Sequence, residues 1–260
     1  MMPKNMLVLM SDEHSAKILG CHGNSIAQTP NIDALAARGT RFSNAYCNSP
    51  VCIPARATFA TGQYIHEIGY WDNADPYEGS VPSWHHRLRD AGHEVVSIGK
   101  LHFRSEDDDN GFSETQLAMH VVEGLGDLMG LVREDLPVRQ GAYKIARSAG
   151  PGESEYTQYD RDITDAAVRW LEAAATRDPE KPWLLFVSWV CPHFPLTAPQ
   201  RFFDLYPPEN MPLPKLYARD ERPAHPYVRD YAGSFCYDDH FKGEAHVLKA
   251  VSSYYALCSF

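Results

Sequence analysis

The residues with the clearest chemical potential are Cys52 and Arg56, the two ends of the segment Cys-Ile-Pro-Ala-Arg. Pro54 has a fixed φ and no N–H to lose, so we predict a helix that starts here and runs to about Thr61. Cys52 would then lie at the positive end of the helix dipole, and Arg56 would point back toward it. This arrangement suits attack on a sulfate or phosphate ester, the alternative being a buried structural cysteine beside a surface arginine.

Three buried strands are predicted, at residues 5–10, 94–98 and 183–190. Four more polar side chains with chemical potential follow the ends of these strands. Asp12 is a hard oxygen ligand for a divalent cation, or a cap for the next segment. Lys100 and His102 face one side of an extended exit and could clamp ester oxygens, although a surface lysine and a structural histidine are the alternative. His193 lies in a proline-rich turn and could act as a general acid. The carboxyl ends of parallel strands share one crevice, so we expect these groups to converge.

These elements resemble those of the type I sulfatase family. The segment from Cys52 to Arg56 resembles its C-x-[P/A]-x-R element, with Ala55 where the family usually has serine. Further resemblances are T-P-N-I-D at 29–33, G-K-L-H at 99–102 and P-H-F-P at 192–195. In this family a formylglycine-generating enzyme oxidises the cysteine. The resemblance therefore implies formylglycine at Cys52, and the catalytic set Cys52, Arg56, Lys100, His102 and His193.

The resemblance also implies a metal site and a mechanism. Asp12 matches the first of two family aspartates, Glu13 stands in the place of the second, and the Cys52-derived oxygen would join them. Calcium is the implied ion, with manganese or magnesium as alternatives. One hydroxyl of the hydrated aldehyde would attack sulfur while His193 protonates the departing alcohol, and the second hydroxyl would then expel sulfate.

The implied fold is an alkaline-phosphatase-like α/β/α sandwich with a mostly parallel central sheet, spanning residues 1–260 as one catalytic domain. Residues 104–155 and 206–226 are predicted to be rim insertions or loops. We also predict an aromatic strand at 42–46, and helices at 30–38, 84–91, 160–175 and 243–260.

The C-terminal helix is expected to expose an apolar face, because the family's next strand, with its metal ligands, and a later lysine have no counterpart here. The chain is therefore expected to be the N-terminal portion of a longer enzyme. Alone, it would be inactive and bind its cation weakly.

Composition excludes several classes of protein. The 260 residues are 44% hydrophobic and 22% charged, which is typical of a globular protein. A net charge of −10 argues against nucleic acid as a partner, and no apolar run reaches the length of a membrane span. No cleavable signal is evident, so we predict a cytoplasmic location with six mostly reduced cysteines.

The prediction from sequence is a metal-dependent hydrolase of a small-molecule sulfate ester. One alternative is a phosphonate monoester or phosphodiester hydrolase of the same superfamily. A second is an inactive or binding-only chain.

Overall fold

The structure is a computed structural model that describes residues 4–126, 137–139, 141–178 and 180–260. Part of the predicted rim, residues 127–136 and 140, lies outside the described residues. The chain divides into two compact units. Unit 1 comprises the described parts of 1–12, 44–129 and 159–190, and unit 2 those of 13–43, 130–158 and 191–260.

The described residues form β-strands and α-helices as follows. The strands are β1 (Met6–Met10), β2 (Glu94–Lys100), β3 (Glu114–Met119), β4 (Gly150–Pro151), β5 (Trp183–Ser188) and β6 (Thr197–Ala198). The helices are α1 (Pro30–Arg38), α2 (Cys52–Thr61), α3 (Ile65–Ile68), α4 (Trp84–Asp90), α5 (Tyr143–Ser148), α6 (Glu155–Ala174), α7 (Gln200–Phe203), α8 (Pro226–Phe235), α9 (Tyr237–His240) and α10 (Glu244–Ser259). Short 3₁₀ turns lie at Ala16–Ile18, Gly20–His22, Val122–Gly124, Pro208–Asn210 and Arg219–Glu221.

Unit 1 is built on a four-stranded parallel sheet in the order β1-β5-β2-β3. One face packs against α2 and α4, with Ala57 and Ala60 in a core that includes Phe186. The opposite face packs against α6, through Ile163 and Trp170. Helices therefore cover both faces of a parallel sheet, which confirms the predicted α/β/α architecture.

The position of β1 differs from the sequence-based expectation. Its apolar run predicts a strand buried on both faces, yet Met6, Leu7 and Leu9 are 52%, 43% and 55% exposed. Among the described residues β1 pairs with β5 alone, so it forms an edge of the sheet. Apolar composition predicts a strand but not its place in the strand order.

Residues 114–119 form β3, which continues the sheet beside β2. This part of the segment 104–155 is therefore a strand of unit 1, and the assignment of the rest to a rim stays a prediction. Helix α6 begins at Glu155 rather than at residue 160. Residues 206–225 contain two 3₁₀ turns and no longer element, and α8 begins at Pro226, the last residue of the predicted loop.

Unit 2 has its core around α10. Tyr255, Ala256 and Leu257 of this helix are buried in a cluster that includes Ala198 of β6 and Tyr206. The expectation that the helix exposes its apolar face is therefore wrong. Helix α7, the loop that follows it, and strands β4 and β6 supply the covering residues, which helical periodicity alone does not predict.

The predicted aromatic strand is also wrong. Residues 42–46 form no strand, and Phe42 and Tyr46 are 76% and 91% exposed. Thr29 precedes α1 but its hydroxyl does not cap the helix, because it accepts a hydrogen bond from the Gly20 N–H and donates to Asp33.

No described helix is long and apolar enough to cross a membrane.

Candidate active site

Helix α2 places Cys52 as predicted. Cys52 is the first helical residue, and Pro54, in the first turn, has no N–H that needs a partner. Gly62 ends the helix at φ 69°, a left-handed conformation that glycine adopts without steric cost, and its N–H donates to the Thr58 carbonyl. The thiol thus begins a helix of ten residues, where the macrodipole favours negative charge.

The start of α2 is capped from elsewhere in unit 1. Val51, at the N-cap position, has no side chain that can accept a hydrogen bond. Asn73 supplies the acceptor instead: its Oδ1 receives the Ile53 N–H at 3.0 Å. Asp72 in turn accepts the Ala74 N–H at 2.8 Å, which shapes the chain around Asn73. Asn73 was not predicted, because its partner lies twenty residues away in sequence.

Arg56 is buried and held at three points. Its Nη1 donates to the Lys100 carbonyl at 2.6 Å and to the Ser188 hydroxyl at 3.1 Å. Its Nη2 lies 3.7 Å from Oδ1 of Asp12 and makes no hydrogen bond among the described residues. Burial lowers the pKa of this guanidinium, and the negative charge of Asp12 opposes that shift. The arginine therefore has a fixed position and one unused donor.

Asp12 and Lys100 form a direct buried ion pair between Oδ2 and Nζ. Asp12 follows β1, and Lys100 ends β2, so the ends of two parallel strands present opposite charges. A carboxylate oxygen of Asp12 and the sulfur of Cys52 lie within 4.8 Å of each other. With Arg56 included, two cations share one carboxylate, and this cluster therefore carries a net positive charge.

Two residues that the sequence did not indicate shape the end of β5. Ser188 is the last residue of the strand, is fully buried, and binds Arg56. Asp160, on α6, accepts the Val190 N–H at 2.8 Å. A polar residue ending an otherwise apolar strand is a signal that could have identified Ser188.

The backbone at His102 differs from the extended conformation that was predicted. Its φ is 58°, so the chain after β2 is left-handed and does not continue as an extended strand. Its N–H donates to the Met119 carbonyl at 2.7 Å, which holds this turn against the end of β3. Strand alternation therefore does not place His102 beside Lys100, and its role in binding the ester stays a prediction.

In unit 2, His193 lies beside Glu13. The His193 Nε2 and Glu13 Oε1 are 3.6 Å apart, while Nδ1 is 2.6 Å from the Phe194 carbonyl and so carries a proton. The Tyr254 hydroxyl donates to the Glu13 carbonyl at 2.6 Å, which fixes a residue with φ 62°. The Glu13 side chain is thus next to a histidine, and its role as a metal ligand stays a prediction.

The structure therefore brings together Asp12, Cys52, Arg56 and Lys100 in unit 1, and Glu13 with His193 in unit 2. A helix N-terminus, a fixed guanidinium and an ammonium can stabilise negative charge on oxygen. The unit 1 cluster is thus chemically suited to an anionic ester.

Comparisons with known proteins were made by sequence and by structure. The model of the Sulfatase family matches residues 4–249. A choline-sulfatase of Rhizobium meliloti (strain 1021) is 30% identical over 262 residues, covering 98% of this chain and 51% of the relative. An arylsulfatase of Clostridium perfringens (strain 13 / Type A) is 31% identical over 234 residues, covering 82% and 48%. The chain spans about half the length of these curated relatives.

The fold is also similar to that of a solved structure, the phosphonate monoester hydrolase of Agrobacterium radiobacter. The TM-score is 0.69 at 18% identity, over 99% of this chain and 56% of the other. At this identity the likeness concerns the fold alone.

Proposed function

Because the chain belongs to the sulfatase family of the alkaline phosphatase superfamily, we propose that it contributes the nucleophile and anion site for hydrolysis of a small-molecule sulfate ester. The observation that carries this proposal is the cluster of Cys52, Arg56, Lys100 and Asp12 in unit 1. Arg56 and Lys100 would bind ester oxygens, and the N-terminus of α2 would stabilise charge that develops there.

We further propose that Cys52 is the precursor of formylglycine, made by a formylglycine-generating enzyme. When present, that group supplies a hydroxyl nucleophile in place of the thiol. The buried Arg56 Nη2 has no hydrogen-bond acceptor among the described residues, and an oxygen in place of the Cys52 sulfur is an acceptor of suitable chemistry. The surroundings of Cys52 therefore fit the modification.

A divalent cation, most simply calcium, is proposed to bind Asp12, with Glu13 and the oxygen derived from Cys52 as further ligands. The Lys100 ammonium on the Asp12 carboxylate acts as a stand-in cation, because it fills a position where positive charge is stabilised. Carboxylate oxygen is also the ligand type that calcium prefers. When bound, the cation would lower the pKa of the nucleophile and neutralise ester oxygens.

The remaining assignments concern proton transfer and oxygen binding. His193 is proposed to protonate the departing alcohol through its Nε2, which lies 3.6 Å from the Glu13 carboxylate. His102 is proposed to bind an ester oxygen. A phosphonate or phosphodiester substrate is the second candidate, because the anion-binding groups in unit 1 would accept either tetrahedral anion.

The test is an assay of this chain, extended at its C-terminus to the length of its relatives and produced together with a formylglycine-generating enzyme. We expect turnover of an aryl sulfate to exceed that of an aryl phosphonate monoester. Cys52→Ala should abolish turnover, whereas Cys47→Ala, in the same region of sequence, should retain it. The reverse preference would favour the second candidate, and absence of turnover on both esters would favour a binding-only chain.

A further inference from the structure

The contact between Lys100 and Asp12 has a consequence for the order in which ions bind. Lys100 is 3% exposed, and Asp12 is its only ion-pair partner within the described parts of the chain. The same Asp12 carboxylate is the proposed cation ligand. A divalent cation and the Lys100 ammonium would therefore compete for one buried group.

Resting on the proposed function, we infer that Lys100 is an exchangeable counter-ion of Asp12. A divalent cation displaces its ammonium, and a sulfate anion then takes the ammonium as its partner. Cation and sulfate therefore strengthen each other's binding, and Lys100 couples the two. This coupling is an assignment beyond the roles of Lys100 in anion binding and of Asp12 in metal binding.

The geometry indicates which of the two cations around Asp12 moves. Arg56 is held by the Lys100 carbonyl and by Ser188, and it stands 3.7 Å from Asp12. The Lys100 main chain is fixed by that same hydrogen bond and by its place in β2. Its ammonium, however, is a point charge on a flexible four-carbon stem. Lys100 can therefore leave Asp12 without a change in the backbone.

The charges give the sign of the coupling. Asp12, Lys100 and Arg56 together carry one net positive charge, so a divalent cation alone adds repulsion in a buried cluster. Sulfate supplies the negative charge that a displaced ammonium requires. Because coupling between two ligands is reciprocal, each should raise the affinity for the other, by about tenfold.

Calorimetric titration of the whole chain with calcium chloride tests this inference. One titration contains sodium sulfate, and the other contains sodium chloride at the same ionic strength. We expect sulfate to tighten calcium binding about tenfold. Lys100→Met should bind calcium more tightly than the native chain when sulfate is absent, and the tightening by sulfate should then be much smaller, because only Arg56 remains to bind the anion. Lys242→Met, which removes an exposed lysine, should behave as the native chain does.

A second measurement needs no variant, so it holds even where Lys100→Met fails to fold. Reductive methylation followed by mass spectrometry reports how accessible each lysine is. Calcium alone should increase labelling of Lys100, and calcium with sulfate should reverse the increase, while the exposed Lys17 stays constant. Calcium binding that is indifferent to sulfate, with Lys100 unlabelled throughout, would contradict the inference and leave the proposed metal site intact. Absence of calcium binding to the native chain and the variant would contradict both.

Discussion

In unit 1 the candidate residues are buried and joined by ion pairs and hydrogen bonds, whereas in unit 2 Glu13 and His193 lie on two separate loops and are partly exposed. The side chains of Arg56, Asp12 and Lys100 are 6%, 11% and 4% exposed. In unit 2 the His193 side chain is 15% exposed and that of Glu13 is 45% exposed. The first group is fixed by strand ends and ion pairs, whereas His193 is held by the Phe194 carbonyl and Glu13 by the Tyr254 hydroxyl. Substitutions in unit 1 should therefore lower the free energy of unfolding, whereas substitution of His193 should lower the rate of ester hydrolysis.

The largest expected effect is a loss of stability, and it tests how much the buried contacts of Arg56 stabilise unit 1. Arg56→Met should lower the free energy of unfolding by about 2–4 kcal/mol, because the buried Lys100 carbonyl and Ser188 hydroxyl lose their hydrogen-bond donor. Denaturant unfolding monitored by circular dichroism measures this change. Arg87→Met, at an exposed arginine of α4, should alter the free energy by no more than about 0.5 kcal/mol. Equal effects would show that Arg56 contributes nothing particular to the cluster.

The second prediction concerns unit 2. His193→Ala should slow hydrolysis of an alkyl sulfate about a hundredfold, because a general acid matters most when the departing alkoxide is basic. Hydrolysis of a nitrophenyl sulfate should be slowed much less. The measurement is kcat for the two esters in the chain extended to the length of its relatives, with and without the substitution. An equal loss of kcat on both esters would indicate that His193 has a structural role and is not the general acid.

A third prediction uses a buried histidine of unit 1 that lies outside the proposed site. Burial lowers the pKa of His85 to about 3, while its unfolded value is about 6.5. Below pH 6.5 the unfolded chain binds a proton that the folded chain does not. Stability is therefore lost as pH falls, by about 2 kcal/mol between pH 6.5 and 5 from this group.

Unfolding measured across this pH range tests that prediction. His85→Gln should flatten the decline, whatever its effect at neutral pH. His66→Gln, which replaces an exposed histidine, should leave the slope unchanged. A slope that His85→Gln does not alter would contradict the neutral, buried state of His85.

The smallest effect concerns the cap of α2. Asn73→Ala removes the acceptor of the Ile53 N–H and should lower stability by about 1 kcal/mol. Asn73→Asp keeps an acceptor at the positive end of the helix and should retain most of that stability. Thermal unfolding of the two variants measures the difference. A similar loss in both would indicate that Asn73 acts through packing and not through the cap.

The parts of the molecule that sequence predicted share one physical property: each depends on neighbours in sequence. Proline, glycine and the apolar pattern predict α2, and apolar runs predict β2 and β5. The position of β1 at the edge, the burial of α10 and the cap from Asn73 depend on contacts between residues far apart in the chain. Strand ends indicated Asp12 and Lys100 as candidates, whereas their ion pair depends on the strand order β1-β5-β2.

The central claim is that Cys52 is the precursor of the nucleophile. Mass spectrometry of the tryptic peptide spanning residues 42–56, from chain produced with a formylglycine-generating enzyme, tests it most directly. This peptide also contains Cys47, which is an internal control. We predict an aldehyde at Cys52, reactive toward an aminooxy probe, and an unmodified thiol at Cys47. An intact thiol at both positions would contradict the account.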